Sequence, residues 1–109
     1  CRPPHQTLVP GEIVPDGLVA SLRALDDPTR LRIMRYLAEE PSTPSELSRR
    51  LRLRPPTVVH HLSTLRLAGL VEVTVQAEGE RRYALRSAAL LASLSDFKEF
   101  IFQGKKLNE

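Results

Sequence analysis

Arginine residues are concentrated in one short stretch of this chain. Residues 46–66 contain five arginines and one acidic residue, so the stretch has a net charge of +4, compared with +3 for all 109 residues. Guanidinium groups bind phosphate oxygens, and such contacts supply most of the sequence-independent affinity of proteins for nucleic acids. A solvated basic helix face is the alternative explanation. We interpret the stretch as a phosphate-binding surface and expect Arg50, Arg52 and Arg54 to contact phosphates.

A helix is predicted immediately after these arginines. Val58, Leu62 and Leu65 recur at helical spacing and indicate a helix over residues 55–68 with one buried face. An amphipathic helix of this kind can lie in the major groove of DNA. The candidates for base contacts on its outward face and flanks are Pro56, Thr57, Val59, His60, Ser63 and Thr64. Val59 could contact thymine methyl groups or pack on a neighbouring helix, and the sequence leaves both open.

The residue types for other chemistry are missing or unsuitably spaced. His60 and His61 are adjacent and point about 100° apart on a helix, so they do not readily share one metal ion. The chain has no His-Glu-x-x-His pattern, no glycine-rich phosphate loop and no Ser/His/Asp set. Its single cysteine, Cys1, excludes an internal disulfide framework. We therefore expect no enzymatic activity, no catalytic residue, no cofactor and no metal site.

Capping residues locate two helices before the basic stretch. Asp16 is expected to cap the first, and Asp27 to cap the second, with Pro28 in its first turn. Their expected apolar faces comprise Leu18, Leu22, Leu25, Leu31, Met34 and Leu37.

The next two helices have equally local signals. Residues 43–46 read Thr-Pro-Ser-Glu, a capping box with proline at the first helical position. The Pro55-Pro56 pair can start a helix but cannot lie inside one, so a tight turn must precede it. Gly69 is expected to end the fourth helix, with Leu70 making the apolar contact of a Schellman motif.

Two segments of alternating residue type follow and predict an antiparallel hairpin. Residues 71–76 and 82–86 alternate in residue type around a turn at 77–80, with Val71, Val73 and Val75 on one side of the first run and Tyr83 and Leu85 on one side of the second. Arg81 and Arg82 come directly after the turn and are candidates for contacts with nucleic acid. Two glutamates beside them would repel phosphate, so a charge-balanced exposed turn is the alternative.

The last predicted helix carries more apolar residues than one face needs. Ser87 is expected to cap it, and residues 90–102 include all three phenylalanines of the chain. A core of this size can cover one face of a helix, so a second apolar face implies a partner. That partner is a second copy of the chain or another part of a longer protein.

The predicted order is four helices, a β-hairpin and a last helix, which is a mainly α protein with a winged helix-turn-helix fold. Five short motifs lie along it: Asp-Asp-Pro-Thr-Arg-Leu at 26–31, Glu-Leu at 46–47, Pro-Thr-Val-Val-His-His-Leu at 56–62, Ala-Gly-Leu-Val at 68–71 and Arg-Tyr-Ala-Leu at 82–85. With them the chain closely resembles the ArsR/SmtB family of bacterial transcriptional regulators over about residues 18–102. The resemblance implies a dimer that binds a two-fold operator in double-stranded DNA and usually represses transcription.

The resemblance also implies where partners bind. In the family, the first and last helices form the two-fold interface, and a basic wing residue often enters the minor groove, a role open to Arg81 and Arg82. The residues that would form the interface here are Leu18, Leu22, Leu90, Leu94, Phe97, Phe100 and Ile101.

Metal sensing, the activity that the family name first suggests, is disfavoured by this chain. Where the family has a cysteine pair before the third helix, the chain has Thr43, Pro44 and Ser45, and its last helix offers Asp96 and Glu99 without a histidine. Hydroxyls and isolated carboxylates are poor ligands for soft metals. We predict a regulator that does not sense metals; a metal-responsive sensor and a winged helix used for protein–protein contact remain the alternatives.

The ends of the chain differ from its middle. Residues 1–15 carry scattered prolines without a helical or strand period and are predicted to be a linker or arm. Residues 16–104 would form the DNA-binding domain, and residues 105–109 a tail. We expect a piece of a longer protein with an effector domain upstream. No apolar run approaches the ~20 residues that span a bilayer, and we expect a cytoplasmic protein without membrane contact.

Overall fold

The computed structural model describes residues 12–103, in which the chain forms five α-helices and two β-strands. These are α1 (Asp16–Leu25), α2 (Pro28–Glu39), α3 (Pro44–Leu51), α4 (Pro55–Leu67), β1 (Val71–Val75), β2 (Arg81–Leu85) and α5 (Ser87–Phe102). This order confirms the predicted winged helix-turn-helix fold. Residues 1–11 of the predicted arm, with Cys1, and the predicted tail lie outside the described residues. No helix within residues 12–103 has the length and apolar character needed to cross a bilayer.

The core lies where α2, α3 and α4 meet the hairpin. Its fully buried side chains include Ile33 from α2, Leu47 from α3, and Leu62 and Leu65 from α4. Tyr83 of β2 is buried in the same cluster. Burying an aliphatic side chain of this size contributes roughly 1.5–3 kcal/mol. These contacts therefore fix the orientation of α4 against the rest of the domain.

The buried stripe of α2 differs from the predicted one. Leu31 is 51% exposed, whereas Ile33 is fully buried beside Met34 and Leu37. Ile33 and Leu37 lie one helical turn apart, while Leu31 lies about 200° around the helix from Ile33. Because both positions carry an apolar residue, periodicity alone selected the wrong one.

Side-chain caps start α2 and α3 where the sequence predicts them. The Asp27 carboxylate accepts a hydrogen bond from the Arg30 N–H at 2.9 Å. At α3, Thr43 Oγ1 accepts from the Glu46 N–H at 3.2 Å, and Glu46 Oε1 accepts from the Thr43 N–H at 2.8 Å. The three bonds satisfy N–H groups at the two helix starts that have no partner inside the helix. Both predictions are confirmed.

The predicted caps of α1 and α5 are wrong by one residue. The N-cap positions are Pro15 and Arg86, neither of which makes a side-chain capping bond. Their carbonyls already accept the first helical hydrogen bonds, from Val19 at 3.2 Å and from Leu90 at 3.0 Å. Asp16 and Ser87 are consequently the first helical residues rather than the caps.

The end of α4 is the predicted Schellman motif. Gly69 has a φ of +78°, which glycine adopts without steric cost. Its N–H donates to the Arg66 carbonyl at 2.9 Å, and the Leu70 N–H donates to the Leu65 carbonyl at 3.0 Å. Leu70 is buried, so the motif also anchors the start of the hairpin in the core.

The hairpin, called the wing below, is tied to the helix-turn-helix by backbone hydrogen bonds. β1 and β2 pair antiparallel, with Val73 opposite Tyr83. Ser42, just before α3, exchanges two backbone hydrogen bonds with Tyr83, at 2.9 and 2.8 Å. The base of the wing therefore keeps a fixed position relative to α3.

Candidate nucleic-acid interface

The turn between α3 and α4 places two of the predicted arginines. Arg52 follows α3 with a left-handed backbone, φ 58° and ψ 45°. The Leu53 N–H donates to the Ser48 carbonyl at 3.2 Å, and the Ser48 hydroxyl donates to the Leu53 carbonyl. Arg54 is the N-cap residue of α4, and Pro55 takes the first helical position, where no N–H is needed. Arg52 and Arg54 therefore lie at the N-terminal end of α4, and both are exposed.

α4 has one buried and one exposed face. Val58, Leu62 and Leu65 are fully buried. Five of the six predicted base-contacting residues are exposed: Pro56, Thr57, Val59, His60 and Ser63. The sixth, Thr64, is half-buried, and its hydroxyl donates to the His60 carbonyl at 3.2 Å.

Sequence reasoning missed the C-terminal part of this exposed face. Leu67 is 88% exposed. It lies four residues after Ser63 and seven after His60, so it shares their side of the helix, and this spacing is readable in the sequence. Val59 is also 40% exposed. The exposed face of α4 is therefore partly apolar.

Four arginines around α4 and the wing have no side-chain partner within residues 12–103. Arg52, Arg54, Arg66 and Arg81 are exposed and make no side-chain hydrogen bond or ion pair there. Charge-assisted bonds to phosphate are among the strongest that a guanidinium forms. These four side chains can make them without first breaking a contact within the described part of the chain.

Arg50, in contrast, is held by its own chain. Its Nη2 donates to Glu39 Oε1 at 3.0 Å, and its guanidinium carbon lies 3.9 Å from the centroid of the Tyr36 ring. Both partners lie in the C-terminal half of α2. A phosphate contact from Arg50 would have to replace these bonds.

Arg82 is likewise engaged. Its guanidinium donates to the Pro41 carbonyl at 3.2 Å, to Glu46 Oε1 at 3.5 Å and to Glu80 Oε1 at 3.4 Å. The Thr43 N–H lowers the pKa of Glu46 below its ordinary value, the charge of Arg82 acts in the same direction, and desolvation opposes both. Arg82 therefore ties the wing to α3, whereas Arg81 points to solvent without a partner in the described residues.

The two adjacent histidines have different surroundings. His60 is exposed on the outward face of α4. His61 is half-buried, and its Nδ1 lies 3.3 Å from Arg30 Nη1 and 3.9 Å from Asp27 Oδ2. His61 is therefore packed against residues of α2, whereas His60 faces solvent.

The predicted self-association surface is exposed only in part. α5 has no buried residue, and its large apolar side chains Leu94, Phe97 and Ile101 are exposed. It is held to α1 by contacts that include a hydrogen bond from the Ser93 hydroxyl to Ser21 Oγ at 3.1 Å. Leu22, Leu90 and Phe100 are half-buried. Leu18 is buried within the chain itself, so little of it is available to a partner.

A groove of about 840 Å³ runs between α1 and α5. Asp96, Glu99 and Phe100 contribute to its lining. Within residues 12–103 no group of three or more histidine, cysteine, aspartate or glutamate side chains is arranged to hold a metal ion.

Comparisons with known proteins agree with this geometry. The family model described as "Bacterial regulatory protein, arsR family" matches residues 27–73, from the N-cap of α2 into β1. In sequence, the chain is 38% identical over 79 residues to the HTH-type transcriptional regulator CmtR of Mycobacterium tuberculosis. The match covers 72% of this chain and 66% of that relative, so the chain spans just under two thirds of the relative's length.

Solved structures share the fold over most of the chain. An ArsR-like transcriptional regulator from Rhodococcus sp. RHA1 has a TM-score of 0.72 and 28% identity, covering 80% of this chain and 81% of that one. HlyU from Vibrio cholerae has a TM-score of 0.63 and 29% identity, covering 80% and 92%. The sequence match and the shared winged helix agree, and we conclude that the chain contains a helix-turn-helix domain of the arsR family of bacterial regulatory proteins.

Proposed function

We propose that this chain binds double-stranded DNA, with α4 in the major groove, and represses transcription. The observation that carries the proposal is a set of four exposed arginines that have no side-chain partner within residues 12–103: Arg52, Arg54 and Arg66 at the two ends of α4, and Arg81 in the wing. Side chains that neutralise phosphates on both sides of a groove position a protein on the duplex without reading its sequence. Membership of a family of regulatory proteins supports the same function.

Sequence would be read by the exposed middle of α4. His60, Ser63 and Thr57 offer hydrogen-bonding groups, and Val59 offers an apolar surface for thymine methyl groups. Arg81 at the wing would reach the adjacent minor groove. Because the face carries few polar groups, we expect recognition to depend partly on the shape of the DNA.

We further propose that the chain acts as a homodimer through α1 and α5. The support is the exposed apolar side of α5, since removing large apolar side chains from water contributes roughly 1.5–3 kcal/mol each. The residues proposed for the interface are Leu22, Leu90, Leu94, Phe97, Phe100 and Ile101. A two-fold dimer would present two α4 helices to half-sites about 34 Å apart on one side of the duplex.

The salt dependence of DNA binding tests the phosphate contacts. We expect the double variant Arg52→Ala/Arg54→Ala to lower the slope of log K against log salt concentration by about two, because each lost contact removes about one. The measurement is fluorescence anisotropy with a labelled duplex at several salt concentrations.

Arg35→Ala is the matched control for this test. Arg35 is an exposed arginine of α2 without a side-chain partner in the described residues, beside the groove that α2 forms with Leu90 and Leu94 of α5. Its loss should leave the slope unchanged. An unchanged slope in the double variant would contradict the proposed contacts.

One observation favours a second candidate function. Leu67 and Val59 are exposed apolar residues on the outward face of α4, and exposed apolar patches often mark protein–protein contacts. A winged helix that binds another protein through this face is the runner-up. It predicts that DNA binding is absent or insensitive to the arginine substitutions, so the salt experiment separates the two functions.

A further inference from the structure

One guanidinium connects three helices of the domain. Arg30 lies in the first turn of α2, and its Nε donates to the Ala24 carbonyl at 2.7 Å. Its Nη2 donates to the Arg23 carbonyl at 3.2 Å, and its Nη1 lies 3.3 Å from Nδ1 of His61 in α4. The two carbonyls belong to the last turn of α1, and that of Arg23 also accepts a hydrogen bond from the Asp26 N–H at 3.2 Å. Arg30 therefore bridges the end of α1 to the middle of α4.

The chemistry of this contact fixes its direction. A guanidinium carries five N–H donors in a rigid plane and no acceptor. In a hydrogen bond between the two side chains, Arg30 Nη1 therefore donates and Nδ1 of His61 accepts. Lysine could not replace Arg30, because a single ammonium cannot reach acceptors on α1 and α4 in this fixed geometry.

Each end of the bridge lies next to a surface that the proposed function uses. α1 is joined to α5 through the Ser21–Ser93 hydrogen bond, at the proposed dimer interface. His61 is adjacent to His60, which is exposed on the proposed DNA-reading face. The contacts of Arg30 with the Ala24 and Arg23 carbonyls and with His61 therefore connect α1, which packs on α5, with α4.

We propose that Arg30, acting through His61, is a positioning residue that fixes the orientation of α4 relative to α1 and thereby sets the sequence specificity of DNA binding. The inference rests on the proposed function and deepens it. Phosphate contacts from flexible arginines tolerate a small rotation of α4, whereas hydrogen bonds to base edges do not. Loss of the bridge should therefore reduce specific binding much more than non-specific binding.

The bridge is tested first without DNA. Arg30→Gln and His61→Leu are combined in a double-mutant cycle, and the unfolding equilibrium constant is measured by urea denaturation. Residues in direct contact couple, so we expect the two changes to be non-additive by about threefold or more. If the two substitutions change the unfolding equilibrium constant additively, the proposed coupling is wrong, independently of any result on DNA binding.

Specificity is tested with a duplex that the wild-type chain selects from a random pool and a scrambled duplex of equal length. We expect the ratio of the two affinities to fall about tenfold in Arg30→Gln and His61→Leu, the size of one lost base contact. His61→Asn places an amide oxygen near the position of Nδ1 and should restore the ratio. Arg32→Gln is the control, because Arg32 is an exposed arginine of the same helix without a side-chain partner in the described residues.

An unchanged ratio in Arg30→Gln, or a ratio that His61→Asn fails to restore, would overturn the proposal. If the wild-type chain binds no DNA, the proposed function fails and the specificity claim with it, while the double-mutant cycle still decides whether the bridge couples α1 to α4.

Discussion

Individual side chains of the interface differ in how they can be recognised from sequence. Three of the arginines without a side-chain partner in residues 12–103, Arg52, Arg54 and Arg66, follow from the charge count over residues 46–66, and Arg81 follows from its place beside the hairpin turn. The left-handed backbone of Arg52 cannot be predicted from the sequence, because a left-handed residue at a helix end is normally signalled by glycine or asparagine. The ties of Arg50 to Glu39 and of Arg82 to Glu46 also escape sequence reasoning, because their partners are brought close only by the packing of α2, α3 and the wing.

The strained backbone of Arg52 leads to a prediction at this scale. A left-handed conformation costs a side-chain-bearing residue about 1–2 kcal/mol, and glycine avoids that cost but is more flexible when unfolded. We expect Arg52→Gly to stabilise the fold by up to about 1 kcal/mol, raising Tm by a few degrees, and to weaken DNA binding by one phosphate contact.

Thermal unfolding and DNA binding should be measured on the same preparation. Arg52→Lys keeps both the strain and the charge, so we expect it to match the wild-type chain in each measurement. A destabilised Arg52→Gly variant would contradict the claim that the Arg52 backbone is strained. An Arg52→Gly variant with full DNA affinity would contradict the claim that Arg52 binds phosphate.

At the scale of the helix or strand, local signals proved sufficient where a side chain bonds to a nearby backbone group. The capping box of α3, the Asp27 cap of α2 and the Gly69 end of α4 are all of this kind. The misplaced starts at Asp16 and Ser87 arose because a polar residue marks the neighbourhood of a helix start, not the residue whose carbonyl accepts the first bond. The exposed Leu31 shows that periodicity cannot choose between two apolar positions on different faces.

The capping box makes stability depend on pH. The Thr43 N–H, assisted by the charge of Arg82, lowers the pKa of Glu46 in the folded chain below its ordinary value of 4.5. A lowered carboxyl pKa contributes stability above the unfolded value, and this contribution is lost as the pH falls through the folded value. We therefore expect the free energy of unfolding to decrease on acidification below about pH 4.5.

Glu46→Gln isolates this contribution, because the amide oxygen can still accept from Thr43 but carries no charge. Urea denaturation at several pH values should show a shallower acid decline in the variant. Asp27 provides the comparison, because its pKa is lowered mainly by the Arg30 N–H and it titrates in both proteins. Identical acid declines would contradict the role assigned to the Glu46 charge.

For the molecule as a whole, the decisive feature is the uncovered apolar surface of α5. The surplus of apolar residues was visible in the sequence and predicted a partner. The sequence did not show that α5 would have no buried residue, because periodicity cannot tell which of two apolar faces meets the chain's own core. The burial of Leu18 also depends on the packing within the domain.

We expect Phe97→Glu and Ile101→Glu to convert a dimer into a monomer. These side chains are 41% and 55% exposed, so a glutamate is tolerated in the monomer but would be desolvated and unpaired in an interface. Sedimentation equilibrium with circular dichroism measures assembly and fold together. Ala92→Glu is the control, since Ala92 is exposed on the side of α5 that carries Asp96 and Glu99. A wild-type chain that is monomeric at high micromolar concentration would contradict self-association.

The central claim, that a dimer places α4 in the major groove of DNA, is tested most directly by methylation protection on a duplex selected by the wild-type chain. Dimethyl sulfate reacts with guanine N7, which lies in the major groove. The account predicts two protected half-sites related by a two-fold axis, with centres about 34 Å, one helical turn, apart or a multiple of it. Selection that yields no preferred sequence, or guanine N7 atoms that stay fully reactive in the bound duplex, would contradict it.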